Sequence, residues 1–249
     1  YTFAKEKMIL SYITTGIKDS IKSGVYVKNL KSNNTKQVFE SHNKTKYFKL
    51  NLSHSGDNLA FVIDADSTKT YHRPYELYTW NSSLNNAKLV LDKDSSPKGY
   101  RVSSDGEIKF SKDESKLYFG LALPEIIQDT LLLDEEIVNV EVWTYDEPRL
   151  YTIQEKQVKN DRRKSFQTVF HLKDSKLIQI ATKEFPNALL SYEGNGDYAL
   201  ISNPKPYQLS SQWTALFSMN DLAVMNINNG NSKIVIKSNP SAARFSPEG

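Results

Sequence analysis

The feature that most constrains this chain is a repeated pair of short strands joined by a polar turn. The apolar residue that ends the first strand of each pair recurs at Leu52, Phe110, Leu190 and Phe245, at intervals of 58, 80 and 55 residues. The turns between the strands are rich in Ser, Asp and Asn, whose side chains bond nearby backbone groups. Repetition of one such unit along a chain predicts a radial or solenoidal array of small sheets.

The second unit shows the pattern in full, with four short strands separated by turn residues. These strands are Tyr47–Ser53, Leu59–Asp64, Tyr75–Asn81 and Ala87–Asp92. Four antiparallel strands per unit are typical of a propeller blade. We therefore predict an all-β fold, a partial β-propeller with about four to five four-stranded blades visible over 1–249 and incomplete at its C-terminus. The alternative is a β-sandwich, in which repeated turn chemistry is not expected.

One helix, near 147–164, interrupts the repeat. Pro148 is placed in its first turn with acidic neighbours Asp146 and Glu147, and its end carries Lys159, Arg162, Arg163 and Lys164. Acid at the start and base at the end both oppose the helix dipole. Treated as an insertion, the helix accounts for most of the longer middle interval of the repeat.

Strands are predicted on both sides of the helix. Val138–Tyr145 alternates β-branched and aromatic residues with others, and this pattern predicts a strand in the position that Tyr75–Asn81 takes in the second unit. Phe166–Leu172 and Lys176–Ala181 follow the helix. They either complete the third blade or form an extra hairpin.

Composition limits the classes of function that are open to the chain. The net charge of +3 gives no case for nucleic-acid binding, and cysteine is absent, which excludes thiolate catalysis and cysteine zinc sites. None of the four histidines, at 42, 54, 72 and 171, forms a metal-ligand pair. We predict no metal and no cofactor. No apolar run approaches the ~20 residues of a membrane-spanning helix.

Two groups of residues resemble known proteins. The turn phrases LSHSGDNLAFV, FSKDESKLYFG and RFSPEG are similar to the repeat of TolB-type propellers. The central stretch resembles the propeller of bacterial prolyl oligopeptidase-family serine peptidases, strongest over 138–213. The residues that carry this second resemblance are Val140, Val142, Trp143, Arg162, Lys164, Ser165, Gly196, Asp197, Tyr198, Ala199, Leu200, Pro206 and Tyr207.

The resemblance implies a function that this chain does not perform alone. In that family the propeller is followed by an α/β-hydrolase domain with a G-x-S-x-G nucleophile motif, which is not found in these 249 residues. No catalytic residue is therefore assigned. The implied role is to gate and help bind peptide substrate for a hydrolase domain beyond residue 249, in a periplasmic or extracellular protein. The alternative is a stand-alone TolB-like propeller that binds a protein or glycan.

Four residues are candidates for substrate binding. Glu135 and Glu136 form an acidic pair, and in dipeptidyl peptidase IV-like relatives paired glutamates hold the substrate amine; a solvated acidic edge is the competing interpretation. Arg73 lies in the long loop of the second unit, 65–74, and Trp213 lies in the long loop of the fourth unit, 203–220. Loops on a rigid scaffold commonly carry recognition, and this is the reason for choosing them.

Overall fold

The computed structural model describes residues 1–15, 21–42, 44–66, 68, 70–125, 144–213 and 219–246. In these residues the chain forms four antiparallel sheets, and the order of strands within each sheet follows the order along the chain, apart from the two-residue strand Arg101–Val102, which pairs with Lys116–Ala122. The predicted all-β propeller is confirmed. The strand at Val138–Tyr145 falls almost wholly outside the described residues, as do Glu135 and Glu136.

The bounds of the elements are as follows. The first sheet contains β1 (Thr2–Phe3), β2 (Ile9–Thr14), β3 (Gly24–Asn29) and β4 (Asn34–Glu40). The second contains β5 (Lys46–Leu52), β6 (Asn58–Asp64), β7 (Tyr75–Asn81) and β8 (Lys88–Leu91). The third contains β9 (Arg101–Val102), β10 (Lys109–Phe110), β11 (Lys116–Ala122), β12 (Phe166–His171) and β13 (Lys176–Gln179). The fourth contains β14 (Asn187–Leu190), β15 (Tyr198–Asn203), β16 (Asn220–Asn226) and β17 (Ser232–Asn239), and the helices are α1 (Tyr151–Arg162) and α2 (Gln208–Trp213).

Each sheet packs face to face on the next one along the chain. Side chains alternate between the two faces of a strand, so the second strand of an interior sheet contributes to two cores. In β6, Leu59, Phe61 and Ile63 pack against the first sheet, whereas Ala60 and Val62 pack against the third. This burial on both faces explains why β6 and β11 read as unbroken apolar runs. Sheets stacked in sequence order by both faces are the arrangement of propeller blades.

The connections between strands divide between two edges of the stack. At one edge, which we call the turn rim, short turns join β1 to β2, β5 to β6, β10 to β11 and β14 to β15, at 4–8, 53–57, 111–115 and 191–197. At the opposite edge, the long-loop rim, longer connections join β2 to β3, β6 to β7, β11 to β12 and β15 to β16, over 15–23, 65–74, 123–165 and 204–219. The three longest of these connections therefore begin and end at the same rim.

The predicted turn chemistry is present. Ser53 Oγ accepts the backbone N–H of Asn58 at 3.0 Å, and Ser111 Oγ accepts that of Lys116 at 3.0 Å. In both turns the serine thus closes the loop at the point where the second strand begins, as short polar side chains do. Gly56 and Glu114 occupy the left-handed position of these turns, with φ of 85° and 57°.

The third sheet settles one ambiguity of the sequence interpretation. Phe166–His171 pairs with β11 in the position that β7 takes in the second sheet. The strand β13 then completes the sheet, so the two strands after the helix belong to the third blade and form no extra hairpin. The strand predicted at Val138–Tyr145 lies almost wholly outside the described residues, and its placement stays a prediction.

The helix is confirmed, with a different beginning. It starts at Tyr151 after Leu150, so Pro148 precedes the first turn, and no acidic residue lies in that turn. The predicted basic end is correct, since Lys159 and Arg162 lie in the last turn. A short second helix, α2, was not predicted; a 3₁₀ turn at Lys205–Tyr207 leads into it.

Candidate functional site

Two of the four residues that the sequence singled out lie on the long-loop rim. Arg73 lies in the 65–74 connection, and Trp213 ends α2 in the 204–219 connection. Glu135 and Glu136 belong to the 123–165 connection, where they lie outside the described residues. The rim is thus a common location for Arg73 and Trp213, although the structure does not bring the two into contact.

Arg73 holds its own loop. Its Nε donates to Asp64 Oδ2 at 2.7 Å, and Nη2 lies 2.6 Å from the same oxygen. The other donors reach the backbone carbonyls of Asp66 and Thr68. The Asp64 side chain is only 2% exposed, so this ion pair is largely withdrawn from water. Every nitrogen of the guanidinium therefore has a partner within the protein, and Arg73 as a substrate ligand stays a prediction.

The same loop is reinforced by a second acid. Asp66 accepts hydrogen bonds from the backbone N–H and hydroxyl of Thr68 and from the hydroxyl of Thr70. These bonds, first of all the one from the Thr68 hydroxyl, lower the pKa of Asp66 to about 2. The carboxylate therefore stays ionised over the whole neutral range and keeps the loop in this conformation.

Trp213 stands beside a joint between two connections. The adjacent Gln212 donates through Nε2 to the carbonyl oxygens of Pro148 at 2.6 Å and Glu147 at 3.2 Å. The 204–219 connection is thereby fastened to the segment that precedes α1. Trp213 is 76% exposed and Tyr145, two residues before Glu147, is 92% exposed. Two large aromatic side chains are thus presented to solvent near one joint of the rim.

The helix α1 rests on the rim without entering the core. None of its residues is buried. Arg149 fixes its start, with Nη2 donating to Asp161 Oδ2 at 2.7 Å and Nη1 to Gln157 Oε1 at 2.7 Å. Burial lowers the pKa of Lys164 just beyond the helix, and the charge of Lys205 lowers it further. The basic end of α1 is therefore crowded by like charge.

The Pro-Tyr segment of the fourth unit has a structural role. The Tyr207 hydroxyl donates to Asp221 Oδ1 at 2.5 Å, and it accepts the backbone N–H of Ser238 at 3.0 Å. These bonds attach the 3₁₀ turn to β16 and to the end of β17. The Tyr207 hydroxyl lowers the pKa of Asp221 because it stabilises the ionised carboxylate.

The described histidines that make hydrogen bonds take part in structural contacts. His54 Nδ1 lies 2.8 Å from Glu6 Oε1 at the turn rim, and His171 Nε2 lies 2.8 Å from the carbonyl oxygen of Ile227. Across the described ranges, no group of three or more His, Cys, Asp or Glu residues is placed to hold a metal ion. In the same ranges no helix has the length and apolar character needed to cross a membrane.

One residue of the rim was missed from the sequence. Arg101 opens β9 at the seam between the second and third sheets, with its guanidinium carbon 4.9 Å from the ring centroid of Tyr75. Its Nη2 donates to Glu125 Oε1 at 3.1 Å. A single arginine before a strand carries no sequence motif, so only the packing of the two sheets reveals this position.

Comparison with known proteins yields matches among solved structures alone. No protein-family model matches the sequence, and no curated protein matches it. The chain is similar to the β-propeller domain of the Trilobed protease from Pyrococcus furiosus, with 12% identity and a TM-score of 0.47 over 94% of this chain and 55% of that one. It is also similar to a prolyl endopeptidase, with 12% identity and a TM-score of 0.45 over 96% of this chain and 30% of that one.

TolB from Acinetobacter baumannii is a further similar structure, with 12% identity and a TM-score of 0.37 over 92% of this chain and 41% of that one. The chain thus spans between 30% and 55% of the length of these three proteins. They are the β-propeller domain of a protease, a prolyl endopeptidase and a TolB protein. The propeller fold itself rests on the four stacked sheets.

Proposed function

We propose that this chain is the non-catalytic propeller of a prolyl oligopeptidase-like serine hydrolase, in which it restricts access to the catalytic site and helps bind the peptide. The observation that carries the proposal is the concentration of long connections and exposed aromatic side chains, Trp213 and Tyr145, at one rim. Recognition is commonly placed on loops that a rigid scaffold supports. The part of the proposal that concerns a serine peptidase is supported by the sequence resemblance over 138–213.

A further sheet beyond the fourth is part of the same proposal. The outermost strands of the first three sheets each bury an apolar residue against the next sheet, namely Val38, Leu91 and Ile178. The corresponding strand β17 has no buried residue, and Ile234 and Ile236 are 45% and 50% exposed. A following blade would cover these side chains. A chain extended beyond residue 249 should then bind less of the apolar dye ANS per molecule.

The decisive experiment uses the parent protein that includes the region after residue 249. A serine-directed fluorophosphonate should label it covalently, and replacing the nucleophile serine of the hydrolase domain should abolish both labelling and peptide hydrolysis. Absence of any labelled serine would refute the peptidase assignment and leave a propeller that binds a protein or glycan.

The gating role needs its own measurement. Trp213→Ala in the parent protein should raise KM for a peptide several residues long and leave the labelling rate by the small fluorophosphonate unchanged. Tyr198→Ala is the matched control, because Tyr198 is 50% exposed but begins β15 at the turn rim. Equal effects of the two substitutions on KM would contradict a role for the long-loop rim.

A further inference from the structure

Arg101, at the long-loop rim, has incomplete hydrogen bonding among the residues that the structure describes. Its side chain is 14% exposed, and Nη2 is paired with Glu125. Neither Nε nor Nη1 has a hydrogen-bond partner among the residues that the structure describes, although both atoms are buried. A guanidinium carries five N–H donors in a fixed fork, and buried donors of this kind are normally satisfied.

The neighbouring Arg73 shows what a satisfied arginine looks like in this fold. All three of its guanidinium nitrogens donate to Asp64 or to loop carbonyls, so all of them are used in holding the loop. Arg101 lies at the seam between the second and third sheets and lacks such a set. Its surroundings instead supply a flat aromatic face, Tyr75, which is itself 8% exposed and packs edge-on against Phe48. The cation–π contact with Tyr75 helps to hold the guanidinium without using its donors.

Glu125 indicates which chemical group fits this position. Its carboxylate makes one hydrogen bond of 3.1 Å to Arg101, and its side chain is 52% exposed. Arginine and carboxylate groups form their strongest pairs through two parallel hydrogen bonds. The single hydrogen bond to Glu125 is therefore weaker than the two parallel bonds that another carboxylate could make to Arg101. Because the Glu125 side chain is exposed, such a carboxylate can readily displace it.

We propose that Arg101 and Tyr75 form a receptor for a carboxylate of a bound peptide, with Glu125 as the resident carboxylate that the ligand displaces. The carboxylate comes from the peptide C-terminus or from an acidic side chain. This inference deepens the proposed function, on which it rests for the peptide nature of the ligand. The binding itself requires only the residues of this chain.

The test titrates chain 1–249 with small probes and follows the Nε–H resonances of ¹⁵N-labelled arginine by NMR. The probes are N-acetyl-glycyl-glycine, its C-terminal amide, N-acetyl-glutamate with an amidated α-carboxyl, and inorganic phosphate. We expect saturable shifts of the Arg101 resonance with one or both carboxylate probes and none with the amide. Which carboxylate probe binds more tightly identifies the source of the group.

Two variants make the assignment specific. Glu125→Gln removes the resident carboxylate and should tighten binding of the carboxylate probe about tenfold, the scale of one charge-assisted hydrogen bond. Glu107→Gln, which changes an exposed acid of the same sheet, should not. Arg101→Lys keeps the charge but loses the fork, and should weaken binding about tenfold or more. Because Glu125 is exposed, its variant is informative even if the Arg101 variant does not fold.

Three results would overturn the proposal. They are equal binding of the amide and the carboxylate, equal affinity of the Glu125 and Glu107 variants, and tighter binding of phosphate than of either carboxylate. These outcomes are independent of the peptidase assignment. A parent protein without a labelled serine would refute that assignment and leave carboxylate binding by this chain to stand or fall on the titration.

Discussion

Replacing Glu114 gives the sharpest test of how the sheets are held together. Its carboxylate crosses from the turn of the third sheet to that of the second, where it accepts the Ser55 backbone N–H at 2.5 Å, the Ser55 hydroxyl at 2.8 Å and the Asn58 amide at 2.9 Å. Its backbone meanwhile adopts a left-handed conformation with φ of 57°, which glycine tolerates better. We call these three hydrogen bonds between neighbouring blades the clamp. Glu114 thus forms the clamp with its side chain while its backbone is strained.

The magnitudes of these two effects predict an unusual order of stability. Hydrogen bonds to a charged group contribute about 1.5–3 kcal/mol each when buried, and partial exposure and non-additivity reduce the three here to about 2 kcal/mol in total. A left-handed conformation costs a residue other than glycine roughly 1–2 kcal/mol. Glu114→Ala loses the clamp and keeps the strain, so we expect a loss of about 2 kcal/mol. Glu114→Gly loses the clamp and relieves the strain, so we expect a loss of about 1 kcal/mol.

Urea denaturation followed by tryptophan fluorescence measures both variants. Asp174→Ala, which removes an exposed acid from a turn of the third sheet, is the control and should leave the midpoint nearly unchanged. The reasoning is refuted if the glycine variant is as unstable as the alanine variant, because the strain would then be absent. It is also refuted if neither variant differs from wild type, because the clamp would then contribute nothing.

The clamp also predicts a pH dependence. Burial alone would raise the pKa of Glu114, but the hydrogen bonds from Ser55 and Asn58 outweigh it and lower the pKa below the ordinary 4.5. A group whose pKa is lowered on folding stabilises the protein fully above its unfolded pKa, and this contribution is lost as the pH falls through the folded pKa. The stability difference between wild type and Glu114→Ala should therefore shrink below about pH 4.

Three further substitutions test other contacts. Asp64→Asn removes the buried charge that Arg73 needs, so the urea midpoint should fall and limited proteolysis should cut the 65–74 connection sooner. Tyr207→Phe should cost about 1 kcal/mol in urea denaturation and raise the pKa of Asp221, measured by ¹³C NMR, because the stabilising hydroxyl is gone. Gly120→Ala should cost about 1–3 kcal/mol by thermal unfolding, since a Cβ there meets neighbouring atoms at 2.8 Å.

The interior of the fold was predictable because its strands are marked in the sequence. Leu59–Asp64 in β6 and Leu117–Ala122 in β11 are apolar runs bounded by turn residues, and the structure buries them between sheets on both sides. The serine-containing turns could also be predicted, because their hydrogen bonds join residues only a few positions apart. The strands and turns that could be predicted from the sequence are therefore those whose residue pattern is local and repeats along the chain.

Pairing partners were not predictable in the same way. Val138–Tyr145 and Phe166–His171 both alternate apolar and polar residues, so period alone cannot decide which of them lies beside β11. The ion pair by which Arg73 holds its loop could not be predicted for a related reason. Its partner Asp64 is nine positions away, and only the path of the loop brings the two together. Arg101 and Tyr75 come from different sheets, so no local pattern connects them.

The two rims differ in what they allow to vary. At the turn rim each turn is bonded to the turn of the next sheet, through Lys7 and Asp57, then Ser55 and Glu114, then Lys112 and Glu193. A change there disturbs the alignment of neighbouring blades. At the long-loop rim side chains such as Trp213 are exposed, so such residues can change with little cost to the core. Stability is thus concentrated at one rim, and the opposite rim is left free to carry recognition.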